Sequence, residues 1–296
     1  MPDTDLAFAL RGVRCAVGTG FALRDVSFDL PTGYVMGLIG ANGAGKTTTI
    51  RCLLGMRGID SGEIELLGRR VPGPVGLRQD VGVVLDHTYL VGEWRLAEVE
   101  RSLRPFYDRW DGARYRHLLG EFGLDLRAKV KDLSRGMAMK LMIAVALSHG
   151  ARLLVFDEPT SGLDPVARAE LVGIIGDFLL DDGHSVLFST HITTDLDRIG
   201  DFVTLIHDGR IVRTGTKDEI LDGYRVVRGG PGDLDDPIGV ELIGVRRSAS
   251  GVEALVSTEE AGLLDGRVLV EPPTLEDIAI HIGLSTARPG VRGVAA

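Results

Sequence analysis

Cysteine is nearly missing from this chain: Cys15 and Cys52 are the only two in 296 residues. They show neither metal-ligand spacing nor a framework of pairs, which argues against a structural disulfide or a zinc site and fits a reducing compartment. Basic charge is in short supply, with 33 Lys and Arg against 42 Asp and Glu and a formal net charge of −9. That is the wrong sign for a chain that coats itself with nucleic-acid phosphates, so no nucleic-acid partner is expected. Long apolar runs are absent. The longest, Leu141 to Leu147 and Leu153 to Phe156, fall far short of the ~20 residues needed to cross a bilayer. The opening MPDTDL has no basic or apolar leader region, so neither a membrane span nor a signal peptide is expected. There is no internal repeat and no low-complexity tract.

Glycine, in contrast, is abundant: 40 residues, nearly twice the usual ~7%, which implies many tight turns and close backbone approaches. Hydrophobic residues at 44% and charged residues at 25% are ordinary for a globular protein, and the length suits one large domain with a smaller one. Residues 6–10 and 23–30 alternate apolar and polar between Gly and Pro, predicting antiparallel strands. Tyr34 to Ile39 is a nearly continuous apolar run, as in a strand buried on both faces of a parallel sheet. It leads into GANGAGKTTTIRCLL, whose Ile50, Leu53 and Leu54 have helical spacing. Further buried strands are predicted at Val81–Leu85, Leu153–Phe156 and Ser185–Phe188, with a helical insertion over 93–123. This alternation predicts an α/β fold with a parallel core sheet. Beyond the turn-rich Arg228-Gly-Gly-Pro-Gly and the acids Asp233, Asp235 and Asp236, short strands are expected at 243–245, 252–256 and 268–270. A terminal helix is expected over Thr274–Ile282, capped by Thr274 with Asp277 in its first turn.

Gly40-Ala-Asn42-Gly43-Ala44-Gly45-Lys46-Thr47 matches the phosphate-binding loop and lies in the required context, strand before and helix after. The glycines let backbone N–H groups point at an anion, the helix N-terminus adds partial positive charge, Lys46 reaches the β- and γ-phosphates and the Thr47 hydroxyl ligates Mg²⁺. Asp157 and Glu158 follow the strand Leu153–Phe156. Alone they could equally cap a helix; with a phosphate loop upstream, Asp157 reads as a second Mg²⁺ ligand and Glu158 as the base facing an attacking water. His191, at the end of the next strand, reads either as a core histidine or as a γ-phosphate contact. Ser134, in Leu133-Ser134-Arg135-Gly136-Met137, begins a helix expected over Met137–Leu147 and offers a hydroxyl beside a helix N-terminus; a plain N-cap is the competing role.

Leu133–Met137 resembles the LSGGQ signature of the ATP-binding cassette (ABC) ATPases. In the same collinear order Asp157-Glu158 resembles their Walker B end, Ser161-Gly162-Leu163-Asp164 the D-loop and Ser189-Thr190-His191 the switch histidine, over about residues 6–215. The resemblance implies an ATP- and Mg²⁺-dependent hydrolase. It implies that Thr48 joins the ATP site, and that two cassettes, as homodimer or heterodimer, close head to tail with Ser134, Arg135, Gly136, Met137 and Asp164 facing the partner copy. The expected fold is a P-loop NTPase cassette with an N-terminal antiparallel β-layer, a parallel core sheet and a helical subdomain at about 87–150, all within 1–221. A small α+β appendage follows at 222–296, with no nucleotide motif of its own.

There are four departures from the family pattern. Arg135 and Met137 replace the usual Gly and Gln. Asp86 stands where the Q-loop glutamine is expected, either as a further metal ligand or turned outward as a cap. Val17-Gly18 replaces the adenine-stacking aromatic and leaves Phe21 as the nearest ring. LSRGM with Pro272-Pro-Thr-Leu-Glu-Asp-Ile278 resembles a bacterial subgroup often associated with export. The implied function is an ATP-hydrolysing subunit, peripheral on the cytoplasmic face of the cell membrane, that energises a separate transmembrane permease. The alternative is an ABC ATPase with a non-membrane partner.

Overall fold

Every side chain of β3 (Val35–Ile39) is buried, because the strand sits inside a sheet covered on both faces. The computed structural model describes residues 5–18, 20–72, 79–235, 239–264, 266 and 268–286; the initial MPDT and Asp236 of the turn-rich stretch lie outside them. The β3 sheet has six strands in the order β10 (Arg210–Thr216), β9 (Phe202–His207), β3, β8 (Ser185–Thr190), β7 (Leu153–Asp157) and β6 (Val81–Val84). All run parallel except the edge strand β10. Alternate residues point to opposite faces. Val35 and Ile39 join Phe156, Phe188 and Val203 in one apolar cluster, while Met36 and Leu38 join Val155, Leu187 and Ile206 in another.

The second cluster is closed by the antiparallel layer β2 (Phe21–Pro31), β1 (Leu6–Val17), β4 (Ser61–Leu66) and β5 (Arg69–Val71), through Phe8, Leu10, Phe28, Leu30 and Ile64. Between the layers runs α1 (Lys46–Leu53), burying Ile50 and Leu53. Cys15 and Cys52 are both free and buried here, and burial, with Cys15 beside it, pushes the Cys52 thiol up to about 12.

The predicted helical insertion consists of α2 (Leu96–Leu103) and α3 (Gly112–Glu121). They pack Val99, Tyr115 and Leu119 on one side of α4 (Arg135–Ser148). The other side of α4 packs Met139, Ile143 and Ala146 on the core sheet, so this helix is apolar nearly all round because two cores meet on it. It starts two residues earlier than the sequence reading, at Arg135, because Ser134 caps it.

After α5 (Pro165–Phe178), α6 (Leu196–Ile199) and α7 (Lys217–Asp222), a third sheet is ordered β12 (Ile243–Ser248), β13 (Gly251–Ser257), β11 (Tyr224–Gly229), β14 (Leu269–Glu271). It carries α8 (Thr258–Ala261) and α9 (Leu275–Thr286). Thr274 and Asp277 form the predicted cap: Asp277 N–H donates to Thr274 Oγ1 at 3.1 Å and Thr274 N–H to Asp277 Oδ2 at 2.8 Å. Packing is continuous across residue 222. Leu275, Ile278 and Ile282 of α9 and Val226 and Leu255 of the third sheet share a cluster with Leu171, Phe178, Leu196 and Val203.

Candidate functional site

Three loops leave adjacent parallel strands at the carboxyl edge of the core sheet, the usual place for a ligand in such sheets. They follow β3, β7 and β8, and they carry the phosphate loop, Asp157-Glu158 and His191.

In the first loop Gly43 takes φ +82° and Gly45, the N-cap of α1, φ +118°. A Cβ on Gly45 would lie 3.0 Å from both Leu23 Cδ2 and Phe21 Cζ, so only glycine fits and the chain can wrap its N–H groups inward. Asn42 and Gly43 are exposed at the mouth, Thr47 and Thr48 half-buried behind it. Lys46 curls back: Nζ donates to Gly40 O at 2.5 Å and Ala41 O at 3.2 Å. The same ammonium lies 2.9 Å from Glu158 Oε1, with the lysine side chain 5% and the glutamate 15% exposed; this contact is an ion pair without hydrogen-bond alignment.

Glu158 Oε2 in turn lies 2.6 Å from His191 Nδ1. Lys46, Glu158 and His191 thus form one continuous chain across the three loops. Glu158 reaches it from a left-handed backbone, φ +54°, a conformation that costs a residue with a Cβ of order 1–2 kcal/mol. Its N–H is held by Ser189 O at 3.1 Å and Ser189 Oγ at 3.3 Å.

Buried Asp157 sits opposite Ser189 in the β7–β8 register, and Ser189 Oγ donates to its Oδ1 at 2.7 Å. Ser189 enters the sequence reading only as the start of Ser189-Thr190-His191, without a role of its own; a hydroxyl ending the strand beside an acid-tipped strand was the available signal. Asp157 and Thr47 form an all-oxygen donor set. This fits Mg²⁺, which is held by one or two carboxylates plus substrate phosphates more often than by a full protein cage.

Asp86 takes the outward-turned one of its two expected placements. Its side chain is 52% exposed and Oδ1 lies 2.5 Å from His87 Nδ1, and among the described residues no three His, Cys, Asp or Glu converge as a metal cage. Asp86 and Glu158 line a common 190 Å³ cavity with Arg135 and Met139. Phe21 lies half-buried with its ring edge at Gly45, beside the loop.

Ser134 is exposed at the head of α4, where Oγ accepts from Met137 N–H at 3.3 Å, so the capping role is real. Asp164 caps α5 through Val166 and Ala167 N–H at 2.9 and 3.0 Å; these donors hold its carboxyl below the usual range, the Ala167 bond contributing most.

A glycine-built anion cradle with a buried lysine, an adjacent acid pair and a histidine is the equipment of a nucleotide hydrolase of the P-loop class. The sequence pattern of the ABC transporter family matches residues 23–161. The chain is 34% identical to a Nod factor export ATP-binding protein I of Bradyrhizobium sp. (strain SNU001), covering 95% of this chain and 98% of that one. It is 33% identical to a Rhizobium etli protein of the same name, covering 87% of each. Among solved structures it resembles an ATP binding subunit of an ABC transporter, with TM-score 0.65, 31% identity and coverage of 72% of this chain and 91% of that one. The fold is also shared with cbiO1 from Clostridium perfringens, at TM-score 0.62 and 22% identity over 73% of this chain and 90% of that one. The chain therefore belongs to the ABC transporter ATP-binding family. It binds and hydrolyses ATP as the ATP-binding subunit of a transporter.

Proposed function

We propose that this subunit drives export by a separate transmembrane permease, docked on the cytoplasmic face of the cell membrane, and that it works as a head-to-tail dimer. Export is supported by the relatives, whose names carry it along nearly their full length. Among the described residues no helix is long and apolar enough to cross a membrane, and a separate permease would provide that function. Residues 1–221 are read as the nucleotide-binding part, with 87–150 its helical subdomain, and 222–296 as a C-terminal unit buttressing it.

The observation that carries the mechanism is the Lys46–Glu158–His191 chain. Lys46 holds its charge at the mouth of the loop, where the triphosphate would displace Glu158 as its counter-charge. Freed from Lys46, Glu158 is positioned to take the proton of an attacking water while His191 keeps hold of its second oxygen and faces the γ-phosphate. Backbone N–H groups of Gly43 to Thr48 bind the phosphates. Thr47 and Asp157 would hold Mg²⁺, with Asp86 joining only on parting from His87. The ion supplies positive charge that offsets the charge developing on the transferring phosphoryl group.

Ser134 would complete the site from the partner copy, since its hydroxyl is exposed on α4 and makes no hydrogen bond to the phosphate loop of its own chain among the described residues. Arg135, Gly136 and Asp164 are read as facing the partner with it, and Met137 as doing so from the edge of the Val99–Tyr115–Leu119 cluster on which it packs. The test mixes two chains. Ser134→Ala and Lys46→Ala should each hydrolyse poorly alone, yet regain part of the turnover together, because each mixed dimer keeps one intact site. No recovery on mixing would place Ser134 in its own chain's site. Co-purification of a polytopic membrane protein with ATP-bound chain tests the permease.

A further inference from the structure

The third signature position, glycine in the family pattern, is Arg135 here, and the structure shows where the added side chain goes. It is exposed at the head of α4, yet it leans on the loop that follows β7. A Cβ on Gly162, in the loop Ser161–Asp164, would lie 3.2 Å from Arg135 Nη1, 3.7 Å from its Cδ and 3.8 Å from its Cζ. The guanidinium and its stem therefore lie along this loop's backbone, over a glycine at φ +76°. The contact is the first of a series along α4. A Cβ on Gly136 would meet Leu163 Cδ2 at 3.5 Å, and Lys140 Nζ pairs with Glu170 Oε2 of α5 at 2.5 Å. Arg168 Nε donates to Leu163 O at 3.3 Å from the far side. Among the described residues Arg135 makes no ion pair and no side-chain hydrogen bond, so its position rests on this packing, and it also lines the cavity shared with Asp86 and Glu158.

We infer that Arg135 is a positioning residue: it fastens the Ser161–Asp164 loop to the head of α4 within one chain, so that the loop and Ser134 meet the partner copy as one rigid edge. This rests on the head-to-tail reading above. A fixed edge saves the ordering cost each time the dimer closes. A planar, weakly hydrated guanidinium on a three-carbon stem suits lying on a bare backbone better than an ammonium does.

The experiment uses the full chain with Arg135→Ala, Arg135→Lys and Gly162→Ala. Arg135→Ala should lower kcat about tenfold, by loss of alignment, with KM for ATP within about twofold. In the same protein, amide exchange at Ser161 and Leu163, whose N–H groups bond Glu158 O and Thr160 O, should rise about threefold or more as the loop loosens. Arg135→Lys should recover part of both. Gly162→Ala places a methyl against the guanidinium, so its cost in kcat should shrink in the Arg135→Ala background, a coupling that independent sites would not show. Unchanged exchange and kcat in Arg135→Ala would overturn the inference. So would a tenfold rise in KM with unchanged exchange, which would make Arg135 a direct nucleotide contact. Ser134→Ala run alongside separates the two readings: normal turnover there removes the head-to-tail site, while loop exchange still reports on Arg135.

Discussion

Replacing Glu158 by Gln removes one negative charge from the centre of the Lys46–Glu158–His191 chain while keeping shape, and its consequences can be worked out separately for the free and the ATP-bound protein. Breaking a buried ion pair costs about 3–5 kcal/mol when the surviving charge is left alone. Here Lys46 keeps the carbonyls of Gly40 and Ala41, so the loss should be nearer 2–3 kcal/mol. The nucleotide-free variant should therefore unfold several degrees lower. With ATP the balance changes, because the triphosphate itself now neutralises Lys46 and no carboxylate opposes it. Affinity for ATP should equal or exceed that of the natural chain, and the thermal shift on adding ATP should be larger. Turnover should fall ~10²–10⁴-fold, the usual worth of a positioned base, or about 3–5 kcal/mol of barrier. Calorimetric unfolding with and without ATP, equilibrium binding and phosphate release measure the three quantities. Turnover within tenfold of the natural chain would refute the base assignment. A tenfold loss of ATP affinity would refute the idea that the carboxylate yields Lys46 to the phosphates.

In a Mg²⁺ titration of ATPase activity, Asp157→Asn should raise the half-maximal concentration by about tenfold or more, and Asp86→Asn by about threefold or less, since the ion prefers a carboxylate to an amide and Asp86 is engaged by His87. Equal shifts would make Asp86 a full ligand. His149 is buried against Tyr107 with Nδ1 3.1 Å from Gln79 O, and burial lowers its pKa. The unfolded chain thus binds a proton that the folded one does not. As pH falls below about 6.5, stability should drop by up to ~1.4 kcal/mol per pH unit, and His149→Phe should remove that part of the slope in denaturant melts. Ile278→Ala, at a fully buried position of α9, should cost about 2–5 kcal/mol and lower the melting temperature of the ATPase transition itself. A separate unaffected transition would mean that the clusters joined across residue 222 unfold independently.

Where the determinants of structure are local, the sequence disclosed them. The β3–loop–α1 unit follows from an apolar run, glycines and a 3.6-residue period, and the α9 cap from Thr274 and Asp277. The edge pieces were less legible. β5 has three residues, and β10, with Arg210, Arg213 and Thr214, is a polar edge strand whose pairing with β9 leaves little apolar signature. Ile278 and Ile282 announce a buried face without saying what covers it, so the shared core with Leu196 and Val203 could not be read. At the site, the motifs located Lys46, Asp157, Glu158 and His191, while their arrangement depends on register: Ser189 supports Asp157 only because β7 and β8 align those two ends. Asp86 illustrates the opposite case, a position found by pattern whose side chain is turned to its sequence neighbour.

Glu158's left-handed backbone has a consequence for anyone engineering this subunit. At φ +54° glycine and asparagine sit more comfortably than glutamate, so the backbone conformation taken alone would favour a different residue at the very position the hydrolysis needs, and the pair with Lys46 offsets that preference in the nucleotide-free chain. A library sorted for heat resistance in the presence of ATP, where the triphosphate takes over the Lys46 charge, should drift away from glutamate here early, in keeping with the trade between stability and activity at strained sites. Such a screen would yield robust chains that hold ATP and never spend it.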